Sequence, residues 1–242
     1  MAAKPLINTS LIADANLVSY YQMSNNSNDY KGNANGTDTS MSYSTSPQVN
    51  SDFTESATFG AASKINATRT TGLSGSFTIM AWVYRTGVST DQFMIESNVA
   101  SYSNYWVDFQ IDGSNKFNCA LYDGPALGNH NPNIISTSAI SASTWTHCAF
   151  VRDTSATKIK IYVGGSSGAT DVTDTTSTAP SYSSFDIGCR TAGTSHFLGS
   201  LDDICVFSRA LSSTEISDYV AGTLGPAPGG SDTNALWMGT TF

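Results

Sequence analysis

Two adjacent carboxylates, Asp202 and Asp203, interrupt the apolar run LDDICVF, and chemistry can first be read in this 242-residue chain there. Successive side chains of a strand point to opposite faces, so at most one of the pair meets solvent if the other side is covered. A buried carboxylate requires a cation or several hydrogen-bond donors. A second concentration of oxygen lies in Asn25–Thr37, NNSNDYKGNANGT, whose Asn, Asp and Gly residues tolerate left-handed backbone. Asp29 and Asn33 are its candidate ligands, or else they only make turn hydrogen bonds. A third group reads as a sugar surface. Trp106, Asp108 and Gln110 alternate on one face of the strand-like NYWVDFQID, with Asn118 and Tyr122 of NKFNCALY beside them. An aromatic platform next to amide and carboxylate oxygens suits the apolar face and the hydroxyls of a sugar. The alternative is that Trp106 and Tyr122 pack under a neighbouring loop.

Catalytic constellations are scarce. Glycoside hydrolysis needs two carboxylates about 5–10 Å apart, usually glutamates. The chain has three glutamates. Glu55 falls in a turn and Glu215 in a helix cap. Glu96 alone sits on a strand, with Asp108 as its one partner, and no Glu-any-Asp-any-any-Glu spacing occurs. His130, His147 and His196 have no nucleophile-elbow motif near them and read as structural. No glycine loop connects a strand to a helix in the manner of a phosphate cradle. No catalytic residue is assigned, and the chain is not expected to be an enzyme.

Composition narrows the class. Charged residues make up only 12% and aromatics 11%, which fits many short strands joined by polar turns in one all-β domain. A net charge of −8 without a basic run disfavours nucleic acid. No apolar run approaches the roughly 20 residues needed to cross a bilayer, and no signal-peptide core follows the first residues. Cys119, Cys148, Cys189 and Cys205 lack metal-ligand spacing and lie in or beside apolar runs, which reads as free buried thiols in a chain assembled in a reducing cytosol.

The elements that must position these residues follow from periodicity. Leu17–Met23 is the first strand. TFGAASKINAT (58–68) and GSFTIMAWVYR (75–85) read as two more. In the latter, Phe77, Ile79, Ala81 and Val83 share one face and Met80, Trp82 and Tyr84 the other, which marks a central strand. Gln92–Ser97 follows. Tyr105, Val107, Phe109 and Ile111, then Phe117, Cys119 and Leu121, point inward. Ile134, Ile135 and Ile140 suggest a short strand, WTHCAFVRD and TKIKIYVGG a hairpin, and Ser184–Arg190 a further strand. Phe197–Phe207 is a strand buried on both faces. Ser212-Ser213-Thr214-Glu215 then has the form of a capping box, opening a short helix that carries Ile216, Tyr219 and Val220 on one side and ends at Gly222.

Several of these stretches resemble laminin-G-like domains of the concanavalin A-like lectin/glucanase superfamily, over roughly residues 15–222. The resemblance rests on Phe197, Gly199, Leu201, Asp202, Asp203, Arg209, Ala210 and Leu211, on Asp29, Gly32, Asn33, Asn35 and Gly36 with Lys31 where the family often has serine, and on the strands FTIMAWV, WTHCA and IYVGG. It implies a jelly-roll β-sandwich of two antiparallel sheets with one short C-terminal helix. It also implies a structural calcium ion held between the loop, through Asp29 and Asn33, and Asp202 or Asp203, an ion that takes six to eight hard oxygens.

Residues 1–16 are expected as an N-terminal arm or edge segment, 17–222 as the domain, and 223–242 as a Pro/Gly linker with an apolar tail. Pro226, Pro228, Gly229 and Gly230 send this tail away extended, so that Leu236, Trp237, Met238 and Phe242 dock on another chain or fold back over a sheet edge. The family is frequent in phage structural and bacterial surface proteins. The expected function is therefore a non-catalytic structural or binding module on a virion surface (decoration, head-fibre or tail-associated), joined through its N- and C-terminal segments to other virion or surface proteins, oligomeric or part of a larger assembly, and binding cell-surface glycans. The competing expectation is a secreted or cell-surface protein that binds or hydrolyses carbohydrate.

Overall fold

The computed structural model describes residues 6–45, 55–87, 89–97, 106–124, 131–176, 182–190 and 193–224. Tyr105, His130 and the tail with Leu236, Trp237, Met238 and Phe242 lie outside them. In chain order the strands are β1 (Leu17–Tyr21), β2 (Gly36–Thr39), β3 (Ser42–Ser44), β4 (Ser56–Phe59), β5 (Lys64–Leu73), β6 (Phe77–Arg85), β7 (Gln92–Ser97) and β8 (Trp106–Ile111). They continue with β9 (Lys116–Tyr122), β10 (Asn133–Ala139), β11 (Trp145–Asp153), β12 (Lys158–Val163), β13 (Ser166–Ser167), β14 (Val172–Thr173), β15 (Tyr182–Ile187) and β16 (Gly199–Phe207). One α-helix, α1 (Ser213–Ala221), follows. The first sheet runs β13-β12-β11-β6-β16-β4-β3, with β1 also on β16 and β14 on β12; the second runs β10-β9-β8-β7-β15-β5-β2. The two antiparallel sheets pack face to face as a jelly-roll sandwich.

The core between the sheets is built from the residues that alternation assigned to it. Phe77, Ile79, Ala81 and Val83 of β6 meet Val107, Phe109 and Ile111 of β8 and Phe117, Cys119 and Leu121 of β9. All four cysteines are buried as free thiols. The stretch TFGAASKINAT, expected as one strand, divides at a turn in which Ser63 N–H donates to the Gly60 carbonyl and Gly60 N–H to Ser63 Oγ, each at 3.0 Å. Its halves, β4 and β5, therefore enter different sheets.

A second core covers the other face of the first sheet. Met80, Trp82, Cys205 and Phe207 pack there against Leu6 and Leu11 from two short 3-10 turns and against Ile216 and Tyr219 of α1. This is why β6 and β16 are apolar on both faces. Full burial of a leucine side chain is worth about 1.5–3 kcal/mol, so Leu6 and Leu11 hold residues 6–16 to the sheet. The helix begins as read: Ser212 Oγ accepts from Glu215 N–H, Ser212 N–H donates back to the Glu215 carboxylate, and Gly222 closes the helix at φ 68°.

Gly199 explains the glycine of its motif, since a Cβ there would lie 2.1 Å from the Tyr84 carbonyl oxygen. The Asp202-Asp203 pair departs from simple alternation. The register of β16 on β6 shifts between Asp202 and Cys205, and Asp203 takes φ 50°. The extra residue of this bulge lets Leu201 and Ile204 both face the inter-sheet core, while both carboxylates turn toward the second core. The expectation that the pair faces opposite ways is thus corrected.

Candidate functional site

The outer face of the β10-to-β2 sheet carries a row of polar side chains set by register. Reading across the strands, Thr37, Asn66, Asp186, Glu96, Asp108, Ala120 and Asn133 stand opposite one another in turn. Three carboxylates therefore occupy consecutive strands. Each is placed by a core neighbour on the other face: Ile187 and Phe185 beside Asp186, Ile95 beside Glu96, Val107 and Phe109 beside Asp108. Asn66 Nδ2 donates to Asp186 Oδ1 at 2.8 Å. Arg190 Nε lies 3.4 Å from Glu96 Oε1, with its guanidinium over the Phe93 ring at 5.2 Å.

All five residues expected at a sugar surface lie on this face. Trp106 and Tyr122 are direct cross-strand partners whose rings stack at 3.6 Å and 25°, both partly exposed. Gln110 stands opposite Asn118, whose Oδ1 accepts from Asn133 Nδ2 at 2.9 Å. Asp108 Oδ1 and Gln110 Oε1 are buried and meet no donor of the protein among the described residues. Burial, and then the Glu96 carboxylate opposite, push Asp108 up to about 7, with Arg190 and the Trp106 side chain pulling the other way. Sequence reasoning named Glu96 and Asp108 but did not place Asp186, Arg190 or Asn66 beside them. Those residues arrive through strand pairing, and only the alternation of β15 hinted at an outward Asp186.

Of the expected calcium ligands, Asp29 is fully engaged, whereas Asp202 Oδ2 and Asp203 Oδ2 are buried without a hydrogen bond among the described residues. Asp29 Oδ1 accepts the backbone N–H groups of Tyr20 (2.8 Å) and Lys31 (3.0 Å), and Oδ2 those of Asn33 (3.0 Å) and Ala34 (3.1 Å). Asn33 Nδ2 donates to the Val18 carbonyl at 2.9 Å. Asp202 Oδ1 accepts its neighbour's N–H at 2.9 Å, and Leu6 N–H reaches Asp203 Oδ1 at 3.5 Å. Among the described residues no three His, Cys, Asp or Glu side chains form a metal-holding group. A carboxylate already accepting four amides has no oxygen lone pair left for an ion, so Asp29 does not fit as a calcium ligand.

His147 is structural, as read, and is held by ring contacts, with neither ring nitrogen hydrogen-bonded among the described residues. It stands edge-on to Trp82 at 5.4 Å and to Tyr219 at 5.2 Å, and burial lowers it to about 3, so the ring is neutral. His196 Nδ1 lies 3.2 Å from the Ser63 carbonyl oxygen. A separate open groove of about 410 Å3, lined by Thr137, Ser167, Gly168, Ala169, Thr170 and Asp171, offers no aromatic surface.

The laminin-G-like family model described as the concanavalin A-like lectin/glucanases superfamily matches residues 56–217. The chain belongs to this superfamily. Solved structures similar to this concanavalin A-like chain include domain 4 of an extracellular arabinanase from Geobacillus stearothermophilus in complex with arabinotriose (TM-score 0.65, 18% identity, 91% of this chain and 100% of that one). They also include the binding domain of a paraclostridial mosquitocidal protein (TM-score 0.64, 16% identity, 84% of this chain and 51% of that one). The binding domain of botulinum neurotoxin serotype G is a third (TM-score 0.61, 14% identity, 84% and 50%). The concanavalin A-like chain thus spans about half the length of the two toxin domains, and at these identities the likeness shows the fold alone. No curated protein matches the sequence. No helix among the described residues is long and apolar enough to cross a membrane.

Proposed function

We propose that this domain is a non-catalytic carbohydrate-binding module whose ligand lies on the outer face of the β10-to-β2 sheet. The observation that carries this reading is the Trp106–Tyr122 stack beside Asp108 Oδ1 and Gln110 Oε1, buried acceptors that meet no donor among the described residues. A buried acceptor left unpaired costs about 1–3 kcal/mol, which ligand hydroxyls would offset. Binding is favoured over hydrolysis by the state of Glu96. Its side chain is 1% exposed and faces Arg190, whereas a glycosidase nucleophile must touch the sugar. The arabinanase domain of similar fold was solved with a bound oligosaccharide, which supports the same class of ligand here.

The setting that suits the chain is the surface of a virion, as a decoration, head-fibre or tail-associated part of a larger assembly. Four buried free thiols suit synthesis in a reducing cytosol. The apolar tail that would attach the domain lies outside the described residues. Residues 6–16, which were expected to join in attachment, instead pack on the domain's own sheet. A glycan array probed with the wild-type chain and with Trp106→Ala tests the binding. Loss of signal in the variant supports the face, and an unchanged pattern removes it. Detection of the chain in purified particles, against a secreted fraction, tests the setting.

A further inference from the structure

We infer that this face takes neutral, hydroxyl-donating oligosaccharides and turns away acidic sugars, the ligand running along β8 with one ring on the Trp106–Tyr122 stack and hydroxyls donated to Asp108 and Gln110. The inference rests on the reading of the face given above and adds the chemical class of what it holds.

The two buried side-chain atoms of the lining that meet no partner among the described residues are both acceptors. Gln110 Oε1 and, once Asp108 is ionised, Asp108 Oδ1 can only receive a donor, and Gln110 is 9% exposed, so its oxygen is recessed and not freely solvated. Sugar hydroxyls supply such donors. The ionised carboxylate of a uronic or sialic acid supplies only further acceptors, and here it would lie over Asp108, with the buried carboxylates of Glu96 and Asp186 on the next two strands adding like charge. Like charges brought together reject the wrong ligand. The nearest cation, Arg190, already faces Glu96. By alternation Lys64 of β5 and Lys116 of β9 project on the same side, but Lys64 lies three strands from β8 and Lys116 beyond the Gln110 end.

Spacing sets the length. Strand rise puts Asp108 about 7 Å and Gln110 about 13 Å from Trp106 along β8, so a ligand touching all three is a short oligosaccharide, not one ring. Hydroxyls that donate to Asp108 favour its ionised form over the protonated form that burial and Glu96 promote. The other titratable groups around it are Asp186, Arg190, Tyr122 and, beneath, the thiol of Cys119, which burial keeps protonated.

The test titrates the full chain with neutral gluco- and arabino-oligosaccharides and with sialylated and uronate oligosaccharides of equal length. Neutral ligands should bind about tenfold or more tightly than acidic ones. Their affinity should rise about five- to tenfold between about pH 6 and about pH 8, as Asp108 ionises. Asp108→Asn should remove that dependence, and Gln110→Leu, which keeps the carboxylate, should weaken neutral ligands while retaining it. If acidic sugars bind as tightly as neutral ones and Trp106→Ala abolishes both, the face stands and this inference falls. If no oligosaccharide of either kind binds, the reading of the face falls and takes the inference with it.

Discussion

Arg209 Nη2 lies 2.6 Å from Glu215 Oε1, and the same nitrogen lies 2.6 Å from Asp14 Oδ2. One guanidinium therefore joins the segment before β1 to the helix after β16, over the second core. Arg209 and Glu215 are about a third exposed and Asp14 is 14% exposed, so the network contributes modestly, on the order of 1–2 kcal/mol for three charges with good geometry. Arg209→Ala is expected to lower the melting temperature by about 2–8 °C for a domain of this size. The Arg209 hydrogen bond holds the Glu215 carboxyl below its ordinary value of 4.5. A lowered pKa stabilises above the unfolded value and is lost as pH falls through the folded one. The gap between wild type and variant should therefore close in acid below about pH 4. Calorimetry across pH checks both, and a gap independent of pH would count against the network.

Asp108 gives the opposite sign. Its folded value of about 7 lies above the ordinary 3.8, so the folded chain keeps a proton that the unfolded chain releases. The stabilisation from this group is complete below about pH 4 and lost as pH rises to about 7. Asp108→Asn is uncharged throughout. Wild type should therefore lose melting temperature relative to this variant as pH rises from about 5 to about 8. Equal pH profiles for the two proteins would contradict the buried, Glu96-facing placement of the carboxyl.

Calcium should not matter to stability. With both oxygens of Asp29 taken by four amides, thermal unfolding should have the same midpoint with added calcium and with a chelator. Asp29→Ala, in contrast, removes the acceptor for those amides and should destabilise by several kcal/mol if each buried donor left unpaired costs about 1–3 kcal/mol. A chelator-induced drop in midpoint would restore the ion.

Much of this architecture was legible in local patterns. Period-two alternation in FTIMAWVYR, NYWVDFQID and NKFNCALY predicted which residues enter the core, and the two apolar faces of β6 and β16 required a covering layer on each side. The identity of one such layer was not legible, because Leu6 and Leu11 stand among polar residues and show no helical or strand period. The Asp203 bulge was equally hidden, since adjacent aspartates in a strand read as alternating until a positive φ breaks the pleat. In the proposed sugar-binding face, residues on β8 and β9 were found because a short turn joins those strands. Glu96, Asp186 and Arg190 come from strands far apart in sequence, and their register beside Asp108 is a product of long-range pairing.

The central claim is that the Trp106–Tyr122 stack is the floor of a carbohydrate site. Calorimetric titration with the strongest array ligand, comparing wild type, Trp106→Ala and Tyr122→Ala under conditions where all three melt cooperatively, tests it most directly. The account predicts that Trp106→Ala weakens binding at least about tenfold, or roughly 1.4 kcal/mol, and that Tyr122→Ala weakens it in the same direction as the stack loses its partner. Both variants folded, with the wild-type dissociation constant unchanged, would contradict it.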